Sequence, residues 1–173
     1  GAKDILAEVY ADDADYRTKL RAMTKESGSL VAKAKDEEAD SVYEMYYDFS
    51  EPIKKLVGHR ILAINRGEAE KFLTVKIEAP RQEILLWLVK QIIGNMKHDS
   101  ASYLYEAITD SYDRLIAPSI EREIRNELTE KAEEGAIGVF GKNLHQLLMQ
   151  PPISGQVVLG WDPGFAHGSK LAV

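Results

Sequence analysis

Residues 43–77, YEMYYDFSEPIKKLVGHRILAINRGEAEKFLTVKI, decide which fold this chain can adopt. The stretch begins with aromatic side chains, and Tyr43, Tyr46 and Phe49 follow one another at intervals of three residues. Side chains three or four positions apart share one face of an α-helix. The spacing therefore predicts a helix from about residue 30 to residue 49 that packs these rings into a core.

The second part of the stretch predicts a helix followed by a strand. Ser50 is a suitable N-cap, and Pro52 fits the first helical turn, where backbone N–H groups have no helical acceptor. Apolar residues then recur about once per turn, at Ile53, Val57, Ile61 and Ile64. Gly67 is expected to end this helix with a positive φ. From residue 72 to residue 77 apolar and polar residues alternate, as in a half-buried strand.

The rest of the chain consists mainly of apolar stripes at helical spacing. Asp12 or Asp13 is expected to cap the second helix, Gly28 to end it, and Pro118 to break or kink a later one. The stripes of three later helices are Ile84, Trp87, Leu88, Ile92 and Met96; Ile120, Ile124, Leu128 and Ala132; and Phe140, Leu144, Leu147 and Leu148. We therefore predict a mainly α fold of about six to eight helices.

A minor β element completes the predicted fold. Its short strands lie near residues 72–77 and 157–161, and a second β-type run begins at Lys170 after the turn signal of residues 162–164. The strands near 72–77 and 157–161 are short and otherwise unpartnered, so we expect them to pair with each other.

The composition is that of an ordinary globular protein. The chain has 173 residues, of which 45% are hydrophobic and 29% charged, so it can form one sizeable core or part of a larger protein. It contains no cysteine, which excludes disulfides and thiolate metal sites. The longest apolar run, residues 84–89, is too short to cross a bilayer, and we expect a cytoplasmic protein without membrane contact.

The net charge of −6 is distributed unevenly. Residues 36–40 form an acidic patch, which we interpret as a solvated helix face. Residues 53–76 carry six lysines and arginines against two glutamates, a net charge of +4. The overall negative charge argues against a nucleic-acid footprint across the whole surface, and it leaves residues 53–76 as the best candidate.

The candidate nucleic-acid-binding residues lie in this basic segment. They are Lys54, Lys55, His59, Arg60 and Arg66. Arginine can bind a phosphate with two parallel hydrogen bonds, and lysine adds a point charge. Lys55 and His59 are four residues apart, so on a helix they could meet one phosphate. The alternative is structural, with His59 and Arg60 capping a helix end or pairing with Glu51 and Glu68.

Other clusters favour structure over chemistry. Four aromatic residues could stack on bases, but their spacing favours the core: Tyr43, Tyr46, Tyr47 and Phe49. The acidic run of residues 12–15 lacks the glycine and the terminal glutamate of a calcium loop, so a capping role is expected. The histidines, His59, His98, His145 and His167, have no zinc-site spacing. Nucleotide-binding and hydrolase motifs are absent, and we expect neither metal nor cofactor.

Several longer motifs resemble one known family. They are Glu51-Pro52, HRILAINRGE at residues 59–68, APSIEREIR at 117–125, FGKNL at 140–144 and LGWDPGF at 159–165. In this order they resemble the Tex family of bacterial transcription accessory proteins, which bind RNA. The resemblance covers nearly the whole chain.

The resemblance implies two regions. Residues 1–153 are similar to the helical N-terminal and central region, and residues 154–173 to the first strands of an RNase H-like domain that is truncated here. Asp162 is the only residue similar to an RNase H-like catalytic carboxylate, and a two-metal site needs several. The family's complete proteins also have helix-turn-helix, helix-hairpin-helix and OB-fold modules, and the resemblance implies that the OB-fold binds most of the RNA.

We therefore predict a fragment of a Tex-like transcription accessory protein, without enzymatic activity of its own. It would be a helical scaffold that positions nucleic-acid-binding modules, with RNA rather than DNA as the partner of the complete protein. One alternative is a metal-dependent nuclease that uses Asp162 within the RNase H-like domain of the full protein. Another is a protein-interaction module that docks on the transcription machinery through its acidic N-terminal third.

Overall fold

The computed structural model describes residues 2–94, 101–151, 154–166 and 168–173. The chain divides into two compact units, Gly1–Ile137 and Gly138–Val173. The predictions made for three residues, Met96, His98 and His167, lie outside the described residues. The described part is mainly helical with two small antiparallel sheets, so the predicted fold class is confirmed.

The first unit begins with two helices, α1 (Ala2–Asp12) and α2 (Ala14–Ser27). The carboxylate of Asp13 accepts a hydrogen bond of 2.9 Å from the backbone N–H of Tyr16, which confirms the predicted N-cap. Gly28 ends α2 and donates its N–H to the Thr24 carbonyl at 2.8 Å, as predicted.

A three-stranded sheet occupies the place of the helix predicted for residues 30–49, so that prediction is wrong. Strand β1 (Ser29–Ala34) lies between β2 (Asp48–Pro52) and β3 (Leu73–Glu78), and both pairings are antiparallel. Leu30 and Ala32 are buried while their neighbours are more exposed, the period-two pattern of a strand. Alanine and lysine are good helix formers, so the packing of the sheet overrides local preference here.

The aromatic residues are packed in the core, but not on one helix face. Tyr43 and Tyr46 lie at a short 3₁₀ turn, and both are buried. The ring centroids of Tyr43 and Phe72 are 5.8 Å apart, and those of Tyr46 and Phe49 are 5.5 Å apart with edge-to-face geometry. The prediction that these rings belong to the core is confirmed, whereas the predicted helix is replaced by turn and strand.

Helix α3 (Gly58–Ala69) begins later than the sequence predicts. Ser50 lies within β2 and caps no helix, and Ile53 starts a separate 3₁₀ turn, Ile53–Lys55. Within α3, Ile61 and Ile64 are buried as predicted.

Gly67 does not have the predicted positive φ, because it lies inside α3 and Lys71 has the positive φ, 69°. A Cβ at Gly67 would lie 2.7 Å from Leu73 Cδ1 and 3.1 Å from Tyr43 Cδ1. Close packing, rather than backbone conformation, therefore requires glycine at this position.

Strand β3 confirms the predicted strand near residues 72–77, but the predicted pairing with residues 157–161 is wrong. Its partner is β1, with Ile77 opposite Leu30 and Val75 opposite Ala32. These side chains all face the core, which fixes the register because a shift by one residue would expose them. The carboxylate of Glu121 accepts the backbone N–H of Ile77 at 2.9 Å, on the edge of β3 away from β1.

The remaining helices pack around this sheet. They are α4 (Arg81–Ile92), α5 (Ala101–Asp110) and α6 (Ala117–Leu148), and a π-helical segment, Ser111–Ile116, precedes α6. Pro118 does not break the helix, because the wider π segment precedes it and the backbone continues as α-helix. Tyr16 and Trp87 pack edge to face at 5.7 Å, joining α2 to α4.

The core of the first unit contains apolar side chains from the helices and from the three-stranded sheet. Those less than 2% exposed include Leu20, Ile64, Leu73, Ile84, Leu88, Ile108, Ile116 and Ile124. Ile120, Ile124 and Ala132 are buried on α6, as their stripe predicts. Among the helices of the described ranges, none is long and apolar enough to cross a membrane.

The second unit contains the end of α6 and a hairpin of β4 (Gly160–Pro163) and β5 (Ser169–Ala172). The strand predicted from residue 157 begins only at Gly160, and its partner is β5, with Asp162 opposite Lys170. All described residues of this unit are exposed. The stripe predicted on its helix is therefore uncovered, and its members are Phe140, Leu144, Leu147 and Leu148.

Candidate nucleic-acid interface

Lys54 and Lys55 lie on the 3₁₀ turn that follows β2. The buried side chain of Ile53 anchors this turn and leaves both lysines at the surface. The Lys54 ammonium forms an ion pair with Glu26 of α2. Lys55 is exposed and has no ion-pair partner among the described residues. Only one of these two lysines is therefore free to meet an external anion.

Arg60 lies in the first turn of α3 and is engaged by a carboxylate. One guanidinium nitrogen, Nη1, donates to Glu51 Oε1 at 2.9 Å and to Oε2 at 2.8 Å. Glu51 is on β2, and its side chain is only 18% exposed. The contact joins α3 to the sheet, which confirms the structural alternative for Arg60.

His59 is exposed beside Arg60, but it does not share a helix with Lys55. The 3₁₀ turn ends at Lys55, and Leu56 and Val57 have extended backbone before α3 begins. The predicted one-turn relation between Lys55 and His59 is therefore wrong, since it requires one continuous helix.

Arg66 is exposed in the last turn of α3. It lies seven residues after His59, two turns along the same helix face and about 10 Å along the axis. Nearby, desolvation of the buried ring raises the pKa of Tyr43, and a hydrogen bond with Glu70 raises it further, whereas the charge of Arg66 acts in the opposite direction. Lys55, His59 and Arg66 therefore remain the three candidate side chains without an ion pair among the described residues.

A polar clamp between α3 and α6 was not foreseen from the sequence. The Arg125 guanidinium donates from Nη1 to Glu68 Oε1 at 3.1 Å, and from Nη2 to Glu68 Oε2 and to Asn65 Oδ1, the last at 3.3 Å. The Asn65 amide donates to Thr129 Oγ1 at 2.8 Å. Glu68 thus pairs with Arg125, and the predicted pairing of Glu68 with His59 or Arg60 is wrong. The only hint in the sequence was that Glu68 and Arg125 each lie in one of the charged motifs, and their spacing does not predict that they meet.

A second clamp joins α2 to α6. Arg17 Nη2 donates to Ser119 Oγ at 2.7 Å and to Glu123 Oε1 at 2.5 Å, while Arg21 Nη2 lies 2.5 Å from Glu123 Oε2. Desolvation acts to raise the pKa of Glu123, but the Arg17 hydrogen bond and the charges of Arg21 and Arg17 outweigh it, so this pKa is lowered. One turn along, Lys25 pairs with Glu127 at 2.5 Å.

Asp162 lies on β4 of the second unit, opposite Lys170 in the register, and is exposed. Within the described ranges, no three histidine, aspartate or glutamate side chains are grouped so that they could hold a metal ion. In the part of the chain that it describes, the structure thus gathers no such group around Asp162.

Comparison with known proteins places this arrangement in a family. Residues 1–140 match the family described as "Tex central region-like". The whole chain is 51% identical over 176 residues to the protein named "Uncharacterized protein YdcI" of Bacillus subtilis, and 32% identical over 188 residues to "Protein tex" of Bordetella pertussis. It is 35% identical over 187 residues to the human "S1 RNA-binding domain-containing protein 1".

The chain belongs to the Tex family, because the family match covers most of its length and the similarity to these relatives covers all of it. It spans 24% of the length of the two bacterial relatives and 19% of the human one. A relative from Neisseria gonorrhoeae, 31% identical, is named "Transcriptional accessory protein Tex".

Proposed function

We propose that this chain is the positioning body of a Tex-like transcription accessory protein, whose RNA is bound mainly by modules elsewhere in the longer polypeptide. The proposal rests on one observation: the charged residues of the motifs form contacts within the fold. Glu68, Arg125 and Glu123 each hold a neighbouring structural element. Arg60 and Glu121 do the same at the sheet.

Side chains that bind an external ligand are left available for it, whereas these are occupied within the fold. An exposed ion pair contributes little, but a bidentate or networked pair that is partly buried also fixes the geometry between elements. The side chains of Arg125 and Glu68 are 23% and 34% exposed. Such contacts suit a body whose task is to keep elements at fixed distances.

The nucleic-acid partner is part of the same proposal. The names of the relatives support it, since one human relative is named for an S1 RNA-binding domain. In this chain Lys55, His59 and Arg66 supply weak phosphate contacts. Two or three such contacts to single-stranded RNA give a salt slope of only about −1.5 to −2 in log K against log salt. Direct binding by this chain is therefore weak beside that of a dedicated module.

We assign no catalysis to this chain. Residues 154–173 form the first strands of an RNase H-like domain in the proposed longer protein, where Asp162 contributes one carboxylate. Two-metal cleavage requires several carboxylates around the same phosphate. We place the protein in the bacterial cytoplasm, in contact with nucleic acid and with the transcription machinery.

The positioning role is tested in the full-length polypeptide by exchanging the charges of the α3–α6 clamp. Arg125→Glu places two carboxylates together, and adding Glu68→Arg restores an opposite pair. Affinity for a fluorescein-labelled single-stranded RNA 20-mer, measured by anisotropy, is expected to fall in the single variant and recover in the double variant. The proposal fails if the single variant keeps wild-type affinity, or if the isolated chain binds RNA as tightly as the full-length protein.

A further inference from the structure

A polar groove of about 320 Å³ opens at the surface between α3 and α6. Its lining residues are Asn65, Pro118, Glu121, Arg122, Arg125, Asn126 and Thr129. All except Asn65 lie on α6, so one helix face provides most of the groove. None of the candidate nucleic-acid-binding residues lines it.

One wall of the groove is fixed by the α3–α6 clamp. Glu68 and Asn65 hold the Arg125 guanidinium, and Asn65 in turn donates to Thr129. Because these side chains already have partners, they keep their positions when the groove is empty. A ligand therefore meets a preorganised wall and loses less conformational entropy on binding.

The outer wall carries donors without partners. Arg122 and Asn126 are exposed and form no hydrogen bond or ion pair among the described residues. They are four residues apart, so both lie on the same face of α6. A guanidinium binds a carboxylate with two parallel hydrogen bonds, and an amide can donate to and accept from a peptide group.

The charge balance of the groove favours a peptide over a nucleic acid. Glu121 accepts the N–H of Ile77 with Oε1, and it also lines the groove. With Glu68 behind Arg125, two carboxylates balance the two arginines. Sites for single-stranded nucleic acid combine a strongly basic track with aromatic stacking, and none of the described lining residues is aromatic.

We propose that this groove binds an extended peptide segment of a partner protein through one aspartate or glutamate side chain held by Arg122. Asn126 bonds the peptide backbone next to that residue, and Pro118 supplies an apolar contact for a neighbouring side chain. This partner is additional to the RNA of the proposed function, and none of Lys55, His59 and Arg66 lines the groove.

The experiment selects 12-residue random peptides displayed on phage against the chain. The test variant is Arg122→Glu, and the matched control is Lys131→Glu, the same charge change at an exposed position of α6 outside the groove. Selected peptides are expected to share an acidic residue. They should bind the wild type and Lys131→Glu equally, and Arg122→Glu at least tenfold more weakly.

Melting temperatures check that the variants fold, and Asn126→Ala is a milder second variant that should weaken the same peptides severalfold. The amide resonances of Asn65 and Thr129 should shift when a selected peptide is added. The proposal is overturned if no peptide is enriched, if the peptides lack acidic residues, or if Arg122→Glu binds them as well as the wild type. Displacement of the peptides by the RNA 20-mer would also overturn it and assign the groove to nucleic acid.

Discussion

Arg125 on α6 donates to both carboxylate oxygens of Glu68 on α3, although 57 residues separate them in the sequence. Each residue belongs to one of the charged motifs that identify the family. The motifs therefore meet in the fold, where Arg125 and Glu68 satisfy each other and join α6 to α3.

Removing Arg125 should destabilise the first unit. Arg125→Ala leaves Glu68 and Asn65 without their donor in a partly buried site, and we expect a loss of about 1–3 kcal/mol in the free energy of unfolding. Urea denaturation measures it. In a double-mutant cycle with Glu68→Ala, the two losses should add to more than that of the double variant, and simple additivity would mean that the pair does not interact.

Replacing Gly67 by alanine should also destabilise the chain. The new Cβ would lie 2.7 Å from Leu73 Cδ1, so the core must shift, and overpacking typically costs about 1–3 kcal/mol. Gly135→Ala is the matched control, because its Cβ meets no described atom within 4 Å and alanine is favoured over glycine in a helix by about 1 kcal/mol. Melting temperatures should move in opposite directions, and a parallel change would contradict the packing argument.

Acid should weaken the α2–α6 clamp through Glu123. Its pKa is lowered in the folded protein from an ordinary value of 4.5, so the folded state favours the ionised form. The resulting stability is complete above pH 4.5 and is lost as the pH falls through the folded pKa. Glu123→Gln should therefore flatten the fall in stability as the pH is lowered below 4.5, as followed by thermal melts. If stability falls with acid in Glu123→Gln as steeply as in the wild type, Glu123 is not the group whose protonation weakens the fold.

Variants of Arg60 and of the pair Lys55 and Arg66 should have different effects, the first on stability and the second on RNA binding. Arg60→Gln breaks the contact with Glu51, so in the isolated chain we expect a lower melting temperature, a loss of up to about 1 kcal/mol in the free energy of unfolding and unchanged RNA affinity. The double variant Lys55→Gln/Arg66→Gln should keep the melting temperature, weaken RNA binding and reduce the salt slope by about one to two units. Both variants are measured by the same anisotropy titration. If Arg60→Gln weakens RNA binding and the double variant does not, Arg60 is the phosphate ligand.

Local signals predicted both ends of α2 correctly. Asp13 and Gly28 act through contacts within four residues, so the sequence contains all the necessary information. Residues Ala32–Ala34 form a strand only because β2 and β3 flank them, and local preference cannot reveal that.

At the candidate site, too, the sequence predicted the contact between residues close in the chain but not the one between distant residues. Arg60 pairs with Glu51, nine residues away, as one alternative had it. The contact of Arg125 with Glu68 depends on how α6 crosses α3, which no spacing in the sequence encodes. Lys55, His59 and Arg66, which form no ion pair among the described residues, were all identified as candidates from the sequence.

The small sheet also bears on how copies of this chain behave toward one another. Glu121 occupies an N–H on the outer edge of β3, and Pro52 at the end of β2 has no N–H to offer. An incoming strand from another copy thus lacks part of the ladder that it needs on either side. Both edges of the three-stranded sheet are consequently less open to pairing with a strand of another copy.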